Sequence, residues 1–291
     1  MNFELLGNPV AIIKKEGQRQ SPIVSVSDRN IARNKFNTLK LGPDDGKFQV
    51  IPNPETERQI LYVTGASGSG KSYFTRMYCQ EFSKMFPKRP IILFSSITDD
   101  SSIDEIKGLK RIKLCEEFLN EDFDINDFKD TMVIFDDCDC ISDKKTKLKI
   151  TSILNMVLET GRHTNTYCVV TSHLPTAGND TKRILNESHS ITFFPQSLGG
   201  RSLKYLLENY LGLDRDQIKR VKKLKSRWVS VMKSYPKVVV SESEIYTLNN
   251  DDDEEEHSNS PLQFAEAVAV PEQSSGAPPL SLKKVGKNTK K

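Results

Sequence analysis

The sequence lacks the cysteine pattern of a secreted, disulfide-linked protein. Its five cysteines are odd in number and scattered, and only Cys138 and Cys140 lie close together. A structural zinc site needs four ligands with paired spacing, which one such pair beside distant histidines does not provide. We therefore expect reduced thiols and no structural zinc.

Long apolar runs are also missing. The longest stretches, such as residues 91–94 and 133–135, are far shorter than the roughly 20 residues that a membrane-spanning helix needs. The first residues, MNFELLG, show no basic segment followed by an apolar one, so they do not resemble a secretory signal. These absences predict a chain without a transmembrane segment, in the cytosol or the nucleus.

The small net charge of +3 conceals an uneven distribution along the chain. Residues 250–291 hold eight acidic residues and five lysines, which leaves 37 basic and 31 acidic residues in the rest. Within that body, residues 201–237 carry eleven basic and three acidic side chains. Such a local excess indicates a polyanionic partner, although solvated helix surfaces can have the same composition.

Short β-branched and aromatic runs alternate with longer amphipathic stretches through the middle of the chain. The predicted strands span residues 60–64, 91–95, 132–136, 167–172 and 190–194. The predicted helices include residues 71–85 and 147–160, the latter with one apolar face and with Gly161 as its C-cap. This alternation predicts an α/β fold, in which a mainly parallel sheet is flanked by helices on both faces.

The two ends differ in composition from this alternating region. Residues 1–47 contain short apolar runs broken by glycine and proline, which predict a small β-rich N-terminal extension that adds edge strands or a cover. Residues 249–291 combine an acidic run, Ser, Pro and Gly, and a lysine-rich end, and they predict a disordered tail. The central domain is therefore expected to span residues 48–248.

The pattern G-x-x-x-x-G-K-[ST], known as Walker A or the P-loop, lies between the first predicted strand and the helix that follows it. It consists of Gly65, Ala66, Ser67, Gly68, Ser69, Gly70, Lys71 and Ser72. Glycines let the main chain curl so that successive N–H groups and the helix N-terminus face the phosphates of a nucleotide. Lys71 would then reach the β and γ oxygens, and Ser72 would ligate Mg²⁺. A chance Gly/Ser turn is the alternative, and the strand and helix in the right order argue against it.

A second motif, Walker B, is an apolar strand that ends in the carboxylates of Asp136 and Asp137. Asp136 is predicted to hold the magnesium shell. Asp137, one residue further along, is predicted to polarise the attacking water, with Asp139 as an alternative. The competing interpretation is an acidic strand end that merely begins a turn.

The next predicted strand ends in polar residues that could sense the γ-phosphate. One strand, residues 91–95, lies between the P-loop helix and the Walker B strand, and another strand follows Walker B. This order suits the P-loop branch with an inserted central strand and a catalytic acid beside Walker B. GTPases and small-molecule kinases are disfavoured by this order. Ser172 and His173 are the sensor candidates, and either could instead cap the strand.

Two groups of basic residues are candidates for contacts beyond a single site. Arg162 follows a predicted helix end, where it could reach the ATP of a neighbouring subunit or simply complement the helix C-terminus. Residues 214–226 predict an amphipathic helix whose outward face could follow DNA phosphates. That face carries Lys219, Arg220, Lys222, Lys223 and Lys225.

Taken together, these motifs resemble the DNA-packaging ATPases of large eukaryotic double-stranded DNA viruses, the poxvirus type, within the FtsK/HerA superfamily of DNA pumps. The resemblance covers about residues 48–248. It rests on the P-loop, the Walker B strand and the stretches LETGRH (158–163), TSH (171–173), ILNESH (184–189), RWV (227–229) and KSYP (233–236). The GRH and LNESH stretches are more specific to this family than the ATPase motifs.

The resemblance implies a RecA-like subunit that binds ATP and Mg²⁺, assembles as a homo-oligomeric ring and threads double-stranded DNA into a preformed capsid. It also implies capsid or membrane-associated virion proteins as partners, in the cytoplasmic virus factory or nucleus of an infected cell or in the virion, and an intersubunit role for Arg162. Two positions depart from the family. Many members have Gln where this chain has Ser172 and His173, and Glu is common at the position of Asp137.

Three other functions compete with this one. A terminase-like motor would append a nuclease domain with clustered carboxylates, and no such cluster follows residue 190. A cellular FtsK/HerA-type pump usually brings membrane helices or a DNA-reading winged domain, for which the chain has no room. A nucleotide-gated scaffold that binds DNA or capsid without translocating stays open.

Overall fold

The structure is a computed structural model, and it describes residues 7–18, 21–26, 38–234 and 236–248. The predicted tail, residues 249–291, lies outside the described residues. The strands are β1 (Asn8–Lys14), β2 (Ile23–Val26), β3 (Thr38–Lys40), β4 (Lys47–Val50), β5 (Ile60–Thr64), β6 (Ile91–Ser95), β7 (Leu109–Ile112), β8 (Met132–Asp136), β9 (Tyr167–Ser172), β10 (Ser190–Phe193), β11 (Val229–Met232), β12 (Val238–Ser241) and β13 (Glu244–Thr247). The α-helices are α1 (Lys71–Met85), α2 (Ser101–Asp104), α3 (Glu116–Asn120), α4 (Lys144–Thr160), α5 (Asn179–Glu187), α6 (Gly200–Asn209) and α7 (Arg215–Lys223).

Ten strands form one mixed sheet in the order β3-β13-β12-β11-β10-β5-β9-β8-β6-β7. The strands from β10 to β7 run parallel, and β11, β12, β13 and β3 extend the sheet antiparallel beyond β10. Strand β9 lies between the P-loop strand β5 and the Walker B strand β8. The prediction of an α/β P-loop NTPase fold with an inserted central strand is therefore confirmed.

Each parallel strand contributes to two apolar layers, because successive side chains of a strand point to opposite faces. In β5, Ile60 and Tyr62 pack in one layer while Leu61 and Val63 pack in the other. The first layer also includes the apolar face of α4, and the second includes the buried face of α1. With helices covering both layers, these strands are continuous apolar runs up to their polar last residues, and such runs can be identified in the sequence.

The N-terminal extension is β-rich, as predicted. Strand β1 pairs antiparallel with both β2 and β4, forming a three-stranded sheet whose apolar side chains share the layer that contains α1. Strand β3 instead pairs with β13 at the edge of the main sheet. The extension thus supplies both a cover and an edge strand, and the boundary at residue 47 stays a prediction.

Two helices differ from their predicted bounds. Helix α4 begins earlier because the Asp143 side chain caps it, accepting a hydrogen bond from the Thr146 N–H at 2.7 Å. Helix α7 is shorter than the predicted 214–226 because Leu224 turns to extended geometry, with ψ of 123°. Within the described residues, no helix combines the length and apolarity needed to cross a membrane.

Candidate functional site

The P-loop connects the carboxyl end of β5 to the first turn of α1. Gly68 and Gly70 have φ of 73° and 110°, in the left-handed region that strains any residue with a side chain. Gly65 is required for space, because a Cβ there would lie 2.6 Å from Ser69 Oγ and 2.9 Å from Phe194 Cδ2. The three glycines therefore serve loop conformation and close packing, as the motif predicts.

The P-loop leaves polar groups without protein partners at the start of α1. Gly70 provides no side-chain cap, and the first turn of the helix contains no acidic residue. The hydroxyl of Ser69 is buried with no hydrogen-bond partner among the described residues. Such groups at a helix N-terminus favour an anion, so the loop fits the phosphates of a nucleotide.

Lys71 connects the P-loop with the Walker B motif. Its side chain is only 5% exposed, and its Nζ donates to the Gly65 carbonyl at 3.0 Å. The same Nζ lies 3.7 Å from Asp137 Oδ1. Because a buried ammonium needs an opposite charge and acceptors, this carboxylate and carbonyl hold the lysine beside the loop.

Asp136 ends β8 as a buried carboxylate held by two hydroxyls. Its Oδ1 accepts from Thr171 Oγ1 at 2.9 Å, and its Oδ2 accepts from Ser95 Oγ at 3.1 Å. Burial, followed by the neighbouring charge of Asp137, raises the pKa of Asp136 to about 6. A bound cation would favour the ionised form of this carboxyl, which suits the predicted magnesium role.

Asp137 is held in an uncommon main-chain conformation directly after β8. Its φ is 46°, a region that aspartate tolerates better than most residues and that clusters at functional sites. Its N–H donates to Thr171 Oγ1 at 2.9 Å, and its Oδ1 lies 3.0 Å from the same hydroxyl. Thr171 thus contacts both Walker B acids. The sequence had indicated no residue for this role.

The two predicted sensor residues both approach Asp139. Ser172 Oγ donates to Asp139 Oδ2 at 2.9 Å, and the main-chain N–H of His173 donates to the same oxygen at 3.1 Å. The His173 ring also lies near Asp137, with 3.5 Å between Nε2 and Oδ2. The structure therefore brings His173 to the Walker B acid, while Ser172 contacts the alternative acid.

Cys140 lies next to His173 at the same edge of the sheet, with 3.3 Å between Sγ and Nδ1. Partial burial, followed by the carboxylates of Asp139 and Asp137, raises the pKa of the Cys140 thiol. A catalytic cysteine needs the opposite shift, toward the thiolate. This Cys–His contact is therefore not an activated nucleophile pair.

Arg227 is a P-loop contact that the sequence analysis missed. Its Nε donates to the Ser69 carbonyl at 3.1 Å, and its guanidinium lies 3.0 Å from the place where a Cβ on Gly70 would be. The next residue, Trp228, packs edge-on against Phe74 of α1 with 5.0 Å between ring centroids. The RWV stretch was the feature of the sequence that could have indicated this contact. It places the Arg227 guanidinium at the P-loop and the Trp228 ring against α1.

The five basic residues of the predicted DNA-binding face divide into two groups. Lys219 pairs with Asp216 at 2.7 Å, and Arg220 pairs with Glu244 at 3.0 Å, so these two contact acids of the same chain. The other three are exposed and line an open cavity of about 610 Å³ together with Arg227. They are Lys222, Lys223 and Lys225. Their side of the molecule is next to the P-loop.

Arg162 lies at the opposite edge of the parallel strands from the P-loop. It belongs to the 3₁₀ turn Gly161–Thr164, which precedes β9, and its Nε donates to Glu57 Oε2 at 2.6 Å. Glu57 in turn precedes β5, and the Arg162 contact lowers the pKa of its carboxyl. A strand of five residues separates these edges by roughly 15 Å, so Arg162 does not reach the nucleotide site of its own chain.

No family profile matches this sequence. The "Uncharacterized protein V3" of Sputnik virophage is 41% identical over 207 residues, which cover 70% of this chain and 82% of the virophage protein. Among solved structures, the genome packaging NTPase B204 of Sulfolobus turreted icosahedral virus 2 in complex with AMP aligns with a TM-score of 0.42 and 18% identity, over 61% of this chain and 94% of that chain. The pCW3 conjugation coupling protein TcpA with ATPγS aligns with a TM-score of 0.46 and 12% identity, over 80% and 76% of the two chains.

The virophage relative decides the family, because its identity is high and extends over most of its length. It comes from a virus, as the resemblance of the motifs predicted. The geometry of the P-loop and the inserted strand β9 supplies the fold class independently. The chain therefore belongs to the viral P-loop NTPase family that includes protein V3 of Sputnik virophage.

Proposed function

We propose that this protein is an ATP-driven motor that translocates double-stranded DNA and packages a viral genome into preformed capsids. One observation carries the hydrolytic part, namely that Lys71 and the two Walker B acids meet at the carboxyl edge of the sheet. Lys71 lies 3.7 Å from Asp137, and the Thr171 hydroxyl contacts both acids. Phosphoryl transfer to water needs three groups: a cation that binds phosphate, a carboxylate that binds the metal, and a second carboxylate that orients the attacking water.

The residues of the P-loop fit ATP with Mg²⁺. Residues 65–72 offer main-chain N–H groups and the unpartnered Ser69 hydroxyl to the phosphates. Asp136 and Ser72 offer oxygen ligands, which are those that magnesium prefers. Bound there, Mg²⁺ would neutralise charge on the β- and γ-phosphate oxygens.

Asp137 is the best-placed residue to orient and deprotonate the attacking water. Its carboxylate lies at the end of β8 between Lys71 and the His173 ring, so it faces the phosphate-binding side of the edge. Asp139 is less suitable, because its Oδ2 already accepts from Ser172 and from the His173 N–H. In this arrangement His173 is the candidate sensor that contacts the acid, and Ser172 is the candidate that contacts Asp139.

The DNA-translocating part rests on the resemblance of residues 48–248 to viral packaging ATPases and on the viral origin of the identified relative. The exposed Lys222, Lys223 and Lys225 add a positive surface beside the P-loop, where phosphate contacts could change with nucleotide state. Residues 1–47 would then be an extension of the motor domain and 249–291 a tail. The setting would be an infected cell, in the virus factory or nucleus, or the virion, with capsid or membrane-associated virion proteins as partners.

A homo-oligomeric ring follows if Arg162 acts on a neighbouring subunit, since it lies too far from the site of its own chain. Arg162→Ala subunits should bind ATP normally and hydrolyse it poorly, whereas Lys71→Ala subunits lose phosphate stabilisation. Mixing the two should partly restore hydrolysis, because an intact P-loop can then meet an intact arginine. If exchange of labelled subunits is demonstrated and mixtures hydrolyse no faster than the separate variants, Arg162 only pairs with Glu57.

The motor activity is tested with the full chain on a duplex that carries a fluorescent third strand. Nucleotide binding can be followed separately through Trp228, the single tryptophan, which packs against α1. We expect phosphate release to be stimulated by duplex DNA, and the third strand to be displaced with ATP but not with a non-hydrolysable analogue or by Lys71→Ala. Nucleotide-dependent DNA binding without hydrolysis or displacement would instead identify a nucleotide-gated scaffold.

A cellular-type FtsK/HerA DNA pump would give the same result in that assay. A packaging motor and a cellular-type pump can be distinguished in infected cells by depleting the protein and measuring the DNA content of the viral particles. A packaging motor predicts assembled capsids that lack DNA, whereas a pump that acts elsewhere leaves packaged particles at their normal yield.

A further inference from the structure

Three side chains from two neighbouring strand ends converge beside the nucleotide site. Asp139 and Cys140 lie in the 3₁₀ turn after β8, and His173 follows β9, which pairs directly with β8. Cys140 Sγ lies 3.3 Å from His173 Nδ1 and 3.8 Å from Asp139 Oδ1, and these last two atoms are also 3.8 Å apart. One sulfur, one nitrogen and one oxygen therefore form a nearly equilateral triangle.

The size of this triangle matches the ligand face of a tetrahedral transition-metal site. Zinc binds sulfur at about 2.3 Å, nitrogen at about 2.0–2.1 Å and carboxylate oxygen at about 2.0–2.2 Å, which places tetrahedral ligand atoms roughly 3.4–3.6 Å apart. The three observed separations lie within a few tenths of an ångström of that range. A cation at the centre would need only small side-chain movements.

The groups around the triangle orient its members as outer ligands of a metal site do. Ser172 Oγ and the His173 N–H both donate to Asp139 Oδ2, which leaves Oδ1 directed to the triangle. The other ring nitrogen of His173, Nε2, faces the carboxylate of Asp137 at 3.5 Å. Metal-ligating histidines commonly donate their second N–H to a carboxylate, which fixes the tautomer and the ring orientation, and Asp137 is the carboxylate nearest this nitrogen.

We propose that Asp139, Cys140 and His173 bind a zinc-class divalent cation, with water completing the coordination. Binding converts the Cys140 thiol to a thiolate and releases its proton to solvent. The donor set of thiolate, imidazole and carboxylate selects zinc-like ions over magnesium, which prefers oxygen ligands such as those of Asp136 and Ser72. The two cation sites are therefore chemically distinct although they share one edge of the sheet.

The same geometry gives His173 a different role from phosphate sensing. With Nδ1 on the metal and Nε2–H directed to Asp137, the ring has no free donor for a phosphate. His173 becomes a positioning residue for Asp137, and the occupancy of the metal site determines where that carboxylate is held. Metal binding itself does not depend on the proposed ATPase function, so the two are tested apart.

The test uses the full-length chain, freed of metal and without nucleotide, titrated with Co²⁺ as a spectroscopic substitute for Zn²⁺. We expect one Co²⁺ per chain with a thiolate-to-cobalt charge-transfer band and the visible absorption of tetrahedral cobalt, both removed by adding Zn²⁺. The charge-transfer band reports the cysteine ligand directly, so Co²⁺ bound at oxygen ligands is not mistaken for it.

Variants assign the ligands. Cys140→Ser should abolish the charge-transfer band, and His173→Ala and Asp139→Asn should each weaken Co²⁺ binding by at least about tenfold. Cys115→Ser is the matched control, because Cys115 is also an exposed free thiol and is not one of the three clustered ligands; it should leave the band intact. Circular dichroism checks that each variant is folded. A folded wild-type chain without the band, or a band that persists in Cys140→Ser, would overturn the proposal.

Discussion

The two edges of the parallel strands both carry polar motifs, but the side chains of these motifs form hydrogen bonds with different kinds of group. At the edge where the strands begin, His189 Nδ1 accepts from the Ile60 main-chain N–H at 3.0 Å. Nearby, Arg58 donates to the carbonyls of Val157 and Leu158 at 2.9 Å and 3.0 Å. Both of these side chains therefore complete main-chain hydrogen bonding, whereas Arg162 at the same edge pairs with the Glu57 carboxylate.

At the edge where the strands end, the hydroxyl and carboxylate side chains after β8 and β9 contact one another. The Thr171 hydroxyl lies between the carboxylates of Asp136 and Asp137, and Ser172 donates to Asp139. Carboxylates in such a network keep lone pairs for a ligand or a cation, whereas a side chain bound to the main chain has a fixed structural partner. His189 of the LNESH stretch thus completes main-chain hydrogen bonding, and the proposed chemistry lies at the opposite edge.

The largest expected effect is at the edge with the carboxylate network. Asp137→Asn should bind ATP and hydrolyse it at least about a hundredfold more slowly, since the amide cannot accept the proton of water. Asp136→Asn should instead weaken magnesium-dependent ATP binding. Single-turnover phosphate release and nucleotide titration separate the two effects, and wild-type turnover in Asp137→Asn would transfer the role to Asp139 or a sensor residue.

A smaller effect is expected from the basic surface beside this edge. Replacing the exposed Lys222, Lys223 and Lys225 by alanine should flatten the salt dependence of duplex binding by roughly one unit per lost phosphate contact, while hydrolysis without DNA is retained. Replacing the exposed Lys107, Lys110 and Lys113 removes the same charge elsewhere and serves as the control. If the two triple variants show the same salt dependence of duplex binding, the lysines beside the P-loop are only a solvated surface.

Arg227 is an exception at the carboxyl edge, because its guanidinium donates to the main chain of the P-loop. Arg227→Ala should weaken ATP binding by about tenfold, since a charged hydrogen bond of about 1.5 kcal/mol to the P-loop is lost. Calorimetric titration is the suitable measurement, because the adjacent Trp228 would respond to the substitution itself. Arg201→Ala, at the exposed start of α6, should bind as the wild type does, and equal affinities in both variants would leave Arg227 without a role in the site.

The smallest effect concerns the opposite edge and depends on pH. Burial, followed by the charges of Arg58 and Lys233, lowers the pKa of His189 to about 4 from the usual 6.5. Between these values the unfolded chain binds more protons, so the contribution of His189 to the free energy of unfolding is complete above pH 6.5 and is lost as the pH falls toward 4. Its ring is partly exposed, so we expect a loss of only about 1 kcal/mol.

His189→Asn tests this contribution, because the amide oxygen can accept from the Ile60 N–H without titrating. Denaturant unfolding at several pH values should give a shallower loss of stability for His189→Asn than for the wild type. His163→Asn, at an exposed histidine in the 3₁₀ turn after α4, should leave the pH dependence unchanged. If the free energy of unfolding changes with pH equally in the wild type and in His189→Asn, the neutral His189 ring does not contribute to the pH dependence of stability.

Several elements could be predicted from the sequence because each depends on neighbouring residues alone. Strands β5, β6, β8 and β9 have the predicted bounds, since strands buried on both faces are continuous apolar runs. The end of α7 was misjudged because the turn at Leu224 breaks the helix although the apolar spacing continues. The roles of Thr171 and Arg227 were missed because their partners lie about 35 and 158 residues away in the chain.

By itself, the sequence determined the α/β P-loop fold and the positions of both Walker motifs, because local patterns of apolar residues and glycines dictate strands, helices and tight turns. Only the tertiary structure decided which side chains meet. The pairing of β8 with β9 places Asp139 and Cys140 beside His173, and no local spacing in the sequence indicates that these three side chains meet. It also placed Arg162 at the edge away from the P-loop. Contacts between residues far apart in the chain depend on strand order, which no local pattern encodes.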